Sequence, residues 1–428
     1  MTQTKTAKRW MKLDNAAKIY PAARSRGWMA LFRLSAELTE KIEPALLEQA
    51  LGRTLKRFPA FAQQLKSGAF WNYLEHIEGI PKVEKDVQNP CLPMDFRRSS
   101  GFMLRVRYYN KRIAVEFFHV LTDGSGGMMF LKTLVAEYLT IKYGIDIPRG
   151  DDIFDTQEEA TAGEVEDGFL KYHRGISRSR KEQVSYLVPG TKVKDHMFVT
   201  TGIMEARQVL AMAKKHDASL TEYLTAVLIL AIVRVQNKKQ PNKKKQKPVK
   251  ICVPVNLRRY YKNNTTRNFA SYINPGIEPK YGDYTLEEVI KIVKGQMAIE
   301  SNEKLLNAKF STNVLSEKNM LLRLAPWFVK RGAMKLVFHF KGDRYTSSSI
   351  SNLGLVVLPE EMEPYVTRMD FMLGPLSRNK VACACLSYKG KLIFNITRTI
   401  LESDVERYFF TSLVKQGIHV SIESNGGE

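Results

Sequence analysis

Cysteine is scarce in this chain, and long apolar runs are missing. The four cysteines among 428 residues fit no metal-ligand spacing, so we expect no metal site and reduced thiols of the kind found in cytoplasmic proteins. The longest apolar run, YLTAVLILAIVRV from Tyr223, is shorter than the roughly 20 residues that a transmembrane helix requires. We therefore interpret it as a buried core helix and expect no membrane span.

Targeting signals and nucleotide-binding motifs are also lacking. The first residues, MTQTKTAKRWMKLDNAAKIY, are polar and basic and contain no apolar segment of a secretory signal, so a cytoplasmic location is expected. No glycine-rich phosphate loop occurs, which argues against ATP or NAD as a cofactor. Nucleic-acid-binding motifs are missing as well, so no nucleic-acid partner is expected.

Basic charge, in contrast, is abundant. Lys and Arg number 66 against 44 Asp and Glu, which gives a net charge of +22. A field of this sign attracts polyanions such as anionic lipids, acidic proteins or phosphate-bearing cofactors. Half of the residues in NKKQPNKKKQKPVK (237–250) are lysine. This cluster is either a solvated loop between a helix and a strand or a contact for phosphates.

The order of apolar patterns indicates a mixed α/β protein of two similar lobes. A chain of 428 residues is too long for one simple core. Each half runs through strands and helices and contains a hairpin, FMLRVRYY with RIAVEFFH in the first half and KVACACLSY with KLIFNITRTI in the second. We expect a first lobe at 1–175, a polar connection at 176–195 and a second lobe at 196–428, each a mixed sheet flanked by helices.

A histidine stands at the end of an apolar strand in RIAVEFFHVLTDGSGG. His119 ends the strand, and Asp123 and Gly124 form the turn that begins the next helix. A general base needs a fixed position and a pKa near neutrality, and a strand end beside a tight turn supplies the fixed position. Asp123 could cap the helix or pair with an arginine, while Gly126 and Gly127 would leave room for a bulky substrate arm. The alternative is an ordinary strand, turn and helix with an incidental histidine.

HVLTDG resembles the HxxxDG signature of the chloramphenicol acetyltransferase-like acyltransferases, which include alcohol acetyltransferases and the condensation domains of nonribosomal peptide synthetases. Three further segments resemble family motifs in order and spacing: TLKRFPAF (54–61), VPVNLRR (253–259) and SISNLG (349–354). The opening KLDNAAKIYP and the SNLG turn resemble the alcohol acetyltransferase branch. Many members carry two histidines in the motif. Phe118 stands at the first position here, and His119 corresponds to the catalytic second one.

The resemblance implies two lobes with a tunnel between them and transfer of an acyl group from a coenzyme A or carrier thioester to a hydroxyl or amine. His119 would take the proton of the acceptor as the acceptor attacks the thioester carbonyl. Asp123 would be structural and pair with an arginine, for which Arg258 is the first candidate and Arg259 the alternative. Acyl-CoA would be a co-substrate, and no tightly bound cofactor is expected.

A tetrahedral oxyanion formed during the reaction needs a hydrogen-bond donor. By resemblance, candidates lie in the SSSISNLG segment, where Ser349, Ser351 or Asn352 could donate and Gly354 would permit the turn. The alternative is a Ser- and Asn-rich turn that satisfies its own backbone.

Basic segments suggest how donors and other partners could bind. Lys243, Lys244 and Lys245 could contact the phosphates of acyl-CoA, and the net positive charge would attract an acidic carrier protein as an alternative donor. LLRLAPWFVKRGAMKLVFHF (321–340) combines aromatic with basic residues. It could lie on an anionic membrane and collect lipid-like acceptors, or it could pack on the second sheet.

Three functions compete on this sequence. The leading hypothesis is an alcohol acetyltransferase-like O-acyltransferase that takes acyl-CoA and a small alcohol or amine. The second is a condensation-type enzyme served by a carrier protein, and the third is a non-catalytic basic binding protein. The complete HxxxDG loop favours an enzyme over the third hypothesis.

Overall fold

Strands and helices alternate in the first half of the chain. The computed structural model describes residues 10–25, 28–150, 152–177, 182–318, 324–341 and 343–426. The elements of the first half are, in chain order, β1 (Trp10–Lys12), α1 (Ile19–Ala23), β2 (Leu31–Leu38), α2 (Pro44–Arg57), β3 (Gln63–Ser67), β4 (Asn72–His76), β5 (Val83–Lys85), β6 (Leu104–Tyr109), β7 (Arg112–Phe118), α3 (Gly124–Tyr143) and α4 (Gly168–Tyr172).

The second half has more and longer elements, some of them joined by single turns of 3-10 helix. They are, in chain order, β8 (Phe198–Glu205), α5 (Ala206–Lys215), α6 (Leu220–Lys239), β9 (Val249–Asn256), β10 (Ala270–Ile273), β11 (Gly276–Ile277), α7 (Leu286–Glu300), α8 (Glu303–Lys318), α9 (Trp327–Lys341), β12 (Ser348–Leu355), β13 (Val366–Leu373), β14 (Val381–Tyr388), β15 (Lys391–Arg398), α10 (Asp404–Lys415) and β16 (Val420–Ser424).

Two large sheets form the centres of the two lobes. Within the described residues the first sheet has the order β13-β2-β7-β6-β5, and the second has the order β10-β9-β12-β14-β15-β8-β16 with β11 beside β9. Strands β1, β4 and β3 form a separate small sheet. Helix α3 packs on β2 and β7, and α6 packs on β9. The predicted mixed α/β fold of two lobes is confirmed.

The long helices α3 and α6 are apolar on nearly all sides because both are core helices. Helix α6 has the length and hydropathy of a membrane span, yet 67% of its most apolar window is buried inside the protein. Its apolar side chains lie in one core with those of β9 and β14. Burial on all sides accounts for this composition in a globular domain.

One strand crosses from the second half of the chain into the first lobe. Strand β13 pairs antiparallel with β2, from Val366 opposite Leu38 to Leu373 opposite Phe32, although its neighbours in sequence, β12 and β14, belong to the second sheet. The second lobe expected at 196–428 therefore does not include this strand, which belongs to the first sheet. Strand β2 is buried along almost its whole length, so its outer edge needs a partner for its backbone groups.

Candidate active site

His119 lies directly after β7, in a turn that fixes its backbone. Its N–H donates to the carbonyl of Ala30 at 2.9 Å. The imidazole stacks on Tyr20 of α1, with 5.0 Å between ring centroids, and it makes a T-shaped contact with Phe32, with 5.2 Å between ring centroids. The residue remains partly exposed. The ring is therefore held on two sides while part of the residue stays open to solvent.

Asn268 sets the tautomer of His119. Its amide nitrogen donates to the carbonyl of His119 at 3.0 Å and to Oδ2 of Asp14 at 3.1 Å. Only an NH₂ group can donate to both oxygens, so Asn268 Oδ1 is the atom that faces His119 Nδ1, at 2.9 Å. That oxygen accepts a hydrogen bond, which requires the proton on Nδ1. The lone pair is left on Nε2.

Burial and charge set the protonation state of the same ring. The protein surroundings lower the pKa of His119 from its ordinary value of 6.5, because burial disfavours the imidazolium, while the negative charge of Asp123 partly opposes this. The imidazole is therefore neutral at neutral pH. A neutral imidazole with a free Nε2 is the form that a general base requires.

The carboxylate of Asp123 connects the turn between β7 and α3, which carries His119, to the second half of the chain. Its Oδ1 accepts from the N–H of Gly126 and so caps α3 at 3.1 Å, while Oδ2 accepts from Arg258 Nη1 at 2.8 Å and from the N–H of Phe269 at 2.8 Å. Arg258 thus occupies the partner position that the sequence suggested. Its positive charge helps to hold the pKa of the buried Asp123 carboxyl below the usual range, against the effect of burial.

The glycines after Asp123 make room for protein rather than for substrate. A Cβ at Gly126 would lie 2.1 Å from the carbonyl oxygen of Thr266 and 2.3 Å from the hydroxyl of Thr122. A Cβ at Gly124 would lie 2.9 Å from a methyl of Leu353. The prediction that Gly126 leaves room for a substrate arm is wrong, because the backbone of the second lobe fills that space.

Strand β12 presents its candidate residues on two different faces. Side chains alternate along a strand, so Ser349 and Ser351 share the face of Leu353, whose side chain contacts Gly124. The hydroxyl of Ser349 is buried and has no hydrogen-bond partner within the described part of the chain. The two serines therefore lie on the face of the strand that turns toward the first lobe.

Asn352 points the other way, toward α6. It donates to the hydroxyl of Thr221 at 3.0 Å and accepts from the N–H of Gly354 at 2.8 Å. Gly354 has φ +79°, a left-handed conformation that glycine adopts without strain. Asn352 is thus engaged in shaping the turn.

The lysine cluster lies at the far end of α6 from this face. Lys243, Lys244 and Lys245 form a 3-10 turn, and the ammonium of Lys243 pairs with Asp283 at 2.5 Å. A helix rises about 1.5 Å per residue, which puts roughly 27 Å between the α6 ends at Thr221 and at the lysine turn. A phosphate contact by these lysines stays a prediction, and their distance from β12 does not favour it.

Two residues that sequence reasoning missed complete the surroundings of His119. Asn268 lies in the polar loop NNTTRNF after the VPVNLRR strand, and Asp14 lies in the KLDN segment near the N-terminus. Asp14 is completely buried, and burial raises its pKa to about 6. The one available signal was the run of amide and hydroxyl residues beside the strand that carries Arg258, a run that reads equally well as an exposed loop.

A cavity of about 370 Å³ lies at the other end of the first sheet. Arg33, Arg112 and Arg368 line it together with Thr201 of β8 and Asn425. Arg112 begins β7 and His119 follows its end, so about 23 Å of strand separates them at 3.3 Å per residue. This cavity is separate from the surroundings of His119.

The two-lobed arrangement of this chain also occurs in proteins of known structure. Its fold is similar to that of an O-acetyltransferase and of a condensation domain. A comparison with family models gives no match, and neither does a comparison with curated proteins.

Three solved structures with a similar fold cover almost the whole of this chain. Polyketide synthase associated protein 5 from Mycobacterium tuberculosis is 16% identical, with a TM-score of 0.62 over 94% of this chain and 96% of that one. Trichothecene 15-O-acetyltransferase from Fusarium sporotrichioides is 12% identical, with a TM-score of 0.59 over 97% and 96%. The starter condensation domain of rhizomide synthetase, solved with C8-CoA and Leu-SNAC, is 13% identical, with a TM-score of 0.57 over 95% and 94%. The shared feature is the fold.

Proposed function

We propose that this protein is an acyltransferase that moves an acyl group from a thioester to a hydroxyl or amine, with His119 as the general base. The observation that supports this best is the state of the imidazole. Asn268 holds the proton on Nδ1 at 2.9 Å, and burial lowers the pKa of the ring. Nε2 is therefore able to accept a proton, and His119 as a residue is partly rather than fully buried.

The reaction would proceed through a tetrahedral intermediate. The acceptor O–H or N–H gives its proton to His119 Nε2 while the acceptor atom bonds to the thioester carbonyl carbon, whose π electrons move onto the oxygen. The intermediate then collapses, the C–S bond breaks, and the imidazolium returns the proton to the departing thiolate. The products are the ester or amide and a free thiol. Proton transfer of this kind contributes about 10²–10⁴-fold in rate.

The oxyanion of that intermediate would be stabilised from β12. Ser349 and Ser351 are the better candidates, because Asn352 is already bonded to Thr221. A buried hydroxyl such as that of Ser349, without a partner in the described chain, costs free energy unless a ligand atom satisfies it. Gly354 would only allow the backbone to turn and would not contact the oxyanion.

Acyl-CoA is the donor that we favour. Of the structures with this fold, one is named an O-acetyltransferase and another was solved with C8-CoA. A carrier-bound thioester is the alternative donor, since the fold also includes condensation domains and a net charge of +22 would attract acidic carriers.

Mass spectrometry of the products tests the proposal. The purified protein would be incubated with acetyl-CoA or longer acyl-CoA donors and a panel of alcohols and amines, and in parallel with the same acyl groups on an acidic carrier protein. We expect an acylated acceptor together with one equivalent of free thiol from the CoA donors. Product from the carrier alone would select the alternative donor, and no product from either would contradict acyl transfer.

A further inference from the structure

Helix α9, Leu324 just before it and the turn between β3 and β4 expose a group of large apolar side chains. These residues are each between 49% and 75% exposed, and they are Phe70, Leu324, Phe328, Val329 and Leu336. The two segments adjoin, because the N–H of Trp327 donates to the carbonyl of Ala69 at 2.8 Å. We call these five residues the α9 patch. Residues 319–323, which include the start of the segment predicted to contact a membrane, lie outside the described residues.

The two sides of α9 differ in chemistry. On the inner side Lys330 is buried, and its ammonium lies over the ring of Trp71 at 3.9 Å. On the outer side, at helical spacing, Phe328, Val329 and Leu336 follow one another with Gly332 between them, while Arg331 and Lys335 are exposed along one border. An exposed apolar stripe bordered by basic residues is the pattern of a helix that lies in a membrane interface.

The charge around the α9 patch favours an anionic partner. No Asp or Glu occurs between Glu317 and Asp343 in the sequence, whereas six Lys or Arg residues do. If a second copy of this chain docked here, Arg331 and Lys335 of the two copies would face each other, and their positive charges would repel. An anionic bilayer matches both features, because its head groups attract the bases and its acyl region accepts the apolar side chains.

The α9 patch is also connected to the candidate active site. Helix α9 packs against α1, and α1 carries Tyr20, whose ring stacks on His119 at 5.0 Å between centroids. Helix α9 itself and the short helix α1 therefore lie between the α9 patch and the imidazole. The patch and the candidate active site are on neighbouring elements.

We propose that the α9 patch docks on an anionic lipid bilayer and that the acceptor is an apolar hydroxyl or amine compound drawn from that bilayer. The docking is independent of catalysis, whereas the acceptor class rests on the proposed acyl transfer. The two parts are therefore tested separately.

Vesicle sedimentation of the full-length protein tests docking. We expect the protein to sediment with vesicles of phosphatidylcholine mixed with phosphatidylglycerol, to do so more weakly at high salt, and to remain in solution with phosphatidylcholine alone. Arg331→Gln combined with Lys335→Gln should weaken binding about 30-fold, since each basic residue near an anionic surface contributes roughly five-fold. Phe328→Ser combined with Leu336→Ser should abolish it. All four side chains are exposed, so the fold should be unaffected.

Ile299→Ser provides the matched control, because Ile299 is an apolar residue on α7 that is 66% exposed. This variant should bind like the wild type. Equal binding by the Phe328→Ser/Leu336→Ser variant would overturn the docking proposal. So would a concentration-dependent dimer, or capture of an acidic carrier protein, that the same variant abolishes, because either would identify a different occupant.

Acyl transfer to vesicle-borne acceptors tests the acceptor class. The Phe328→Ser/Leu336→Ser variant should lose transfer to a long-chain alcohol embedded in anionic vesicles and keep transfer to a soluble short-chain alcohol. Equal loss on both acceptors would overturn the acceptor class. If no acceptor reacts with either protein while vesicle binding persists, acyl transfer is refuted and docking stands.

Discussion

At the scale of single residues, the proposed chemistry depends on an amide that belongs to the other half of the chain. Asn268 accepts from Nδ1 of His119 and is itself oriented by Asp14. This arrangement determines which ring nitrogen carries the lone pair. In addition, the buried surroundings lower the pKa of His119. Activity should therefore persist at the ordinary pKa of histidine and fall only at a lower pH, where the imidazole becomes protonated.

Two substitutions of Asn268 should shift the acid limb of the pH profile, which is the pH range where activity is lost in acid, in opposite directions. Asn268→Ala removes a hydrogen bond that favours the imidazolium, so the limb should shift to lower pH. The lost bond is worth about 1–3 kcal/mol, so kcat should fall about 5–150-fold. Asn268→Asp places a negative charge beside the ring and should shift the limb to higher pH. The measurement is the pH profile of kcat/KM. If the acid limb lies at the wild-type pH in both variants, Asn268 does not influence the protonation of His119 and its role is purely structural.

The pair of Asp123 and Arg258 should contribute to stability as a unit. Both side chains are more than 90% buried and lie 2.8 Å apart, so removal of one leaves an uncompensated charge. Asp123→Ala and Arg258→Ala should each lower the free energy of unfolding by about 3–5 kcal/mol. The double variant should lose much less than the sum. Urea unfolding of the three variants measures this coupling, and additive losses would mean that the two residues act independently.

The residues that could be predicted from the sequence are those in the recognisable HxxxDG and VPVNLRR segments. His119, Asp123 and Arg258 occur at positions whose chemistry the local pattern indicates. Asn268 could not be found in this way, since it is 149 residues from His119 and stands in an ordinary polar loop. A single sequence does not reveal which of several amides folds against the imidazole.

At the scale of elements, the start of α3 is a place where hydrogen bonds join the two lobes. The hydroxyl of Thr122 donates to the carbonyl of Thr266 at 2.6 Å, and the amide of Asn256 donates to the hydroxyl of Ser125 at 3.1 Å. The loop that carries His119 is therefore clamped by the segment after β9. A change in that contact should alter both stability and activity.

Gly126→Ala tests this clamp. Its Cβ would lie 2.1 Å from the Thr266 oxygen, so the segment after β9 would have to move, at a cost of about 1–3 kcal/mol in the free energy of unfolding. Acyl transfer should decrease as well, because Asn268 moves with the same segment. Gly295→Ala is the matched control, since nothing lies within 4 Å of its Cβ. This change in the middle of α7 should stabilise the protein by about 0.5–1 kcal/mol. Thermal unfolding compares the two, and equal stability of both variants would contradict the clamp.

The long helices could be predicted well, and the exchanged strand could not. Helix α3 ends before Gly144, which has a left-handed conformation, and α6 begins at a Ser219 capping box. Glycine and serine are common at these two kinds of helix end, so both ends have a signal in the sequence. Strand β13 has an ordinary strand pattern, which gives no information about the sheet that it joins. Pairing with β2 depends on an edge that is formed elsewhere in the chain.

At the scale of the whole molecule, the exchanged strand makes the two lobes depend on each other. Strand β13 covers one edge of the first sheet, and it also packs against β14 and β15 of the second lobe. The lobe boundaries expected from the sequence remain a prediction, with residues 366–373 as the exception. The first lobe is incomplete without them.

A fragment of residues 1–175 should therefore fail to fold alone. It lacks β13, so the buried strand β2 would present an open edge, a feature that promotes aggregation. We expect the fragment to aggregate or to unfold without a cooperative transition, whereas the full chain unfolds cooperatively. Size-exclusion chromatography and thermal melting provide the measurement. A monomeric fragment with a sharp transition would show that the exchanged strand is dispensable.

The whole-molecule charge also affects the choice between functions. A net charge of +22 fits an acidic carrier, an anionic bilayer or the phosphates of coenzyme A. Charge alone does not discriminate among them. The arrangement of exposed apolar side chains on α9 favours the bilayer, and that arrangement depends on the folded helix rather than on composition.

The central claim is that His119 removes the proton of the acceptor, and the rate of thiol release from acyl-CoA in the presence of an acceptor tests it most directly. His119→Ala should reduce this rate about 10²–10⁴-fold while the protein still unfolds in one cooperative thermal transition. His76→Ala, at an exposed histidine of β4, should leave the rate at the wild-type value. Thiol release by a folded His119→Ala variant at the wild-type rate would contradict the assignment.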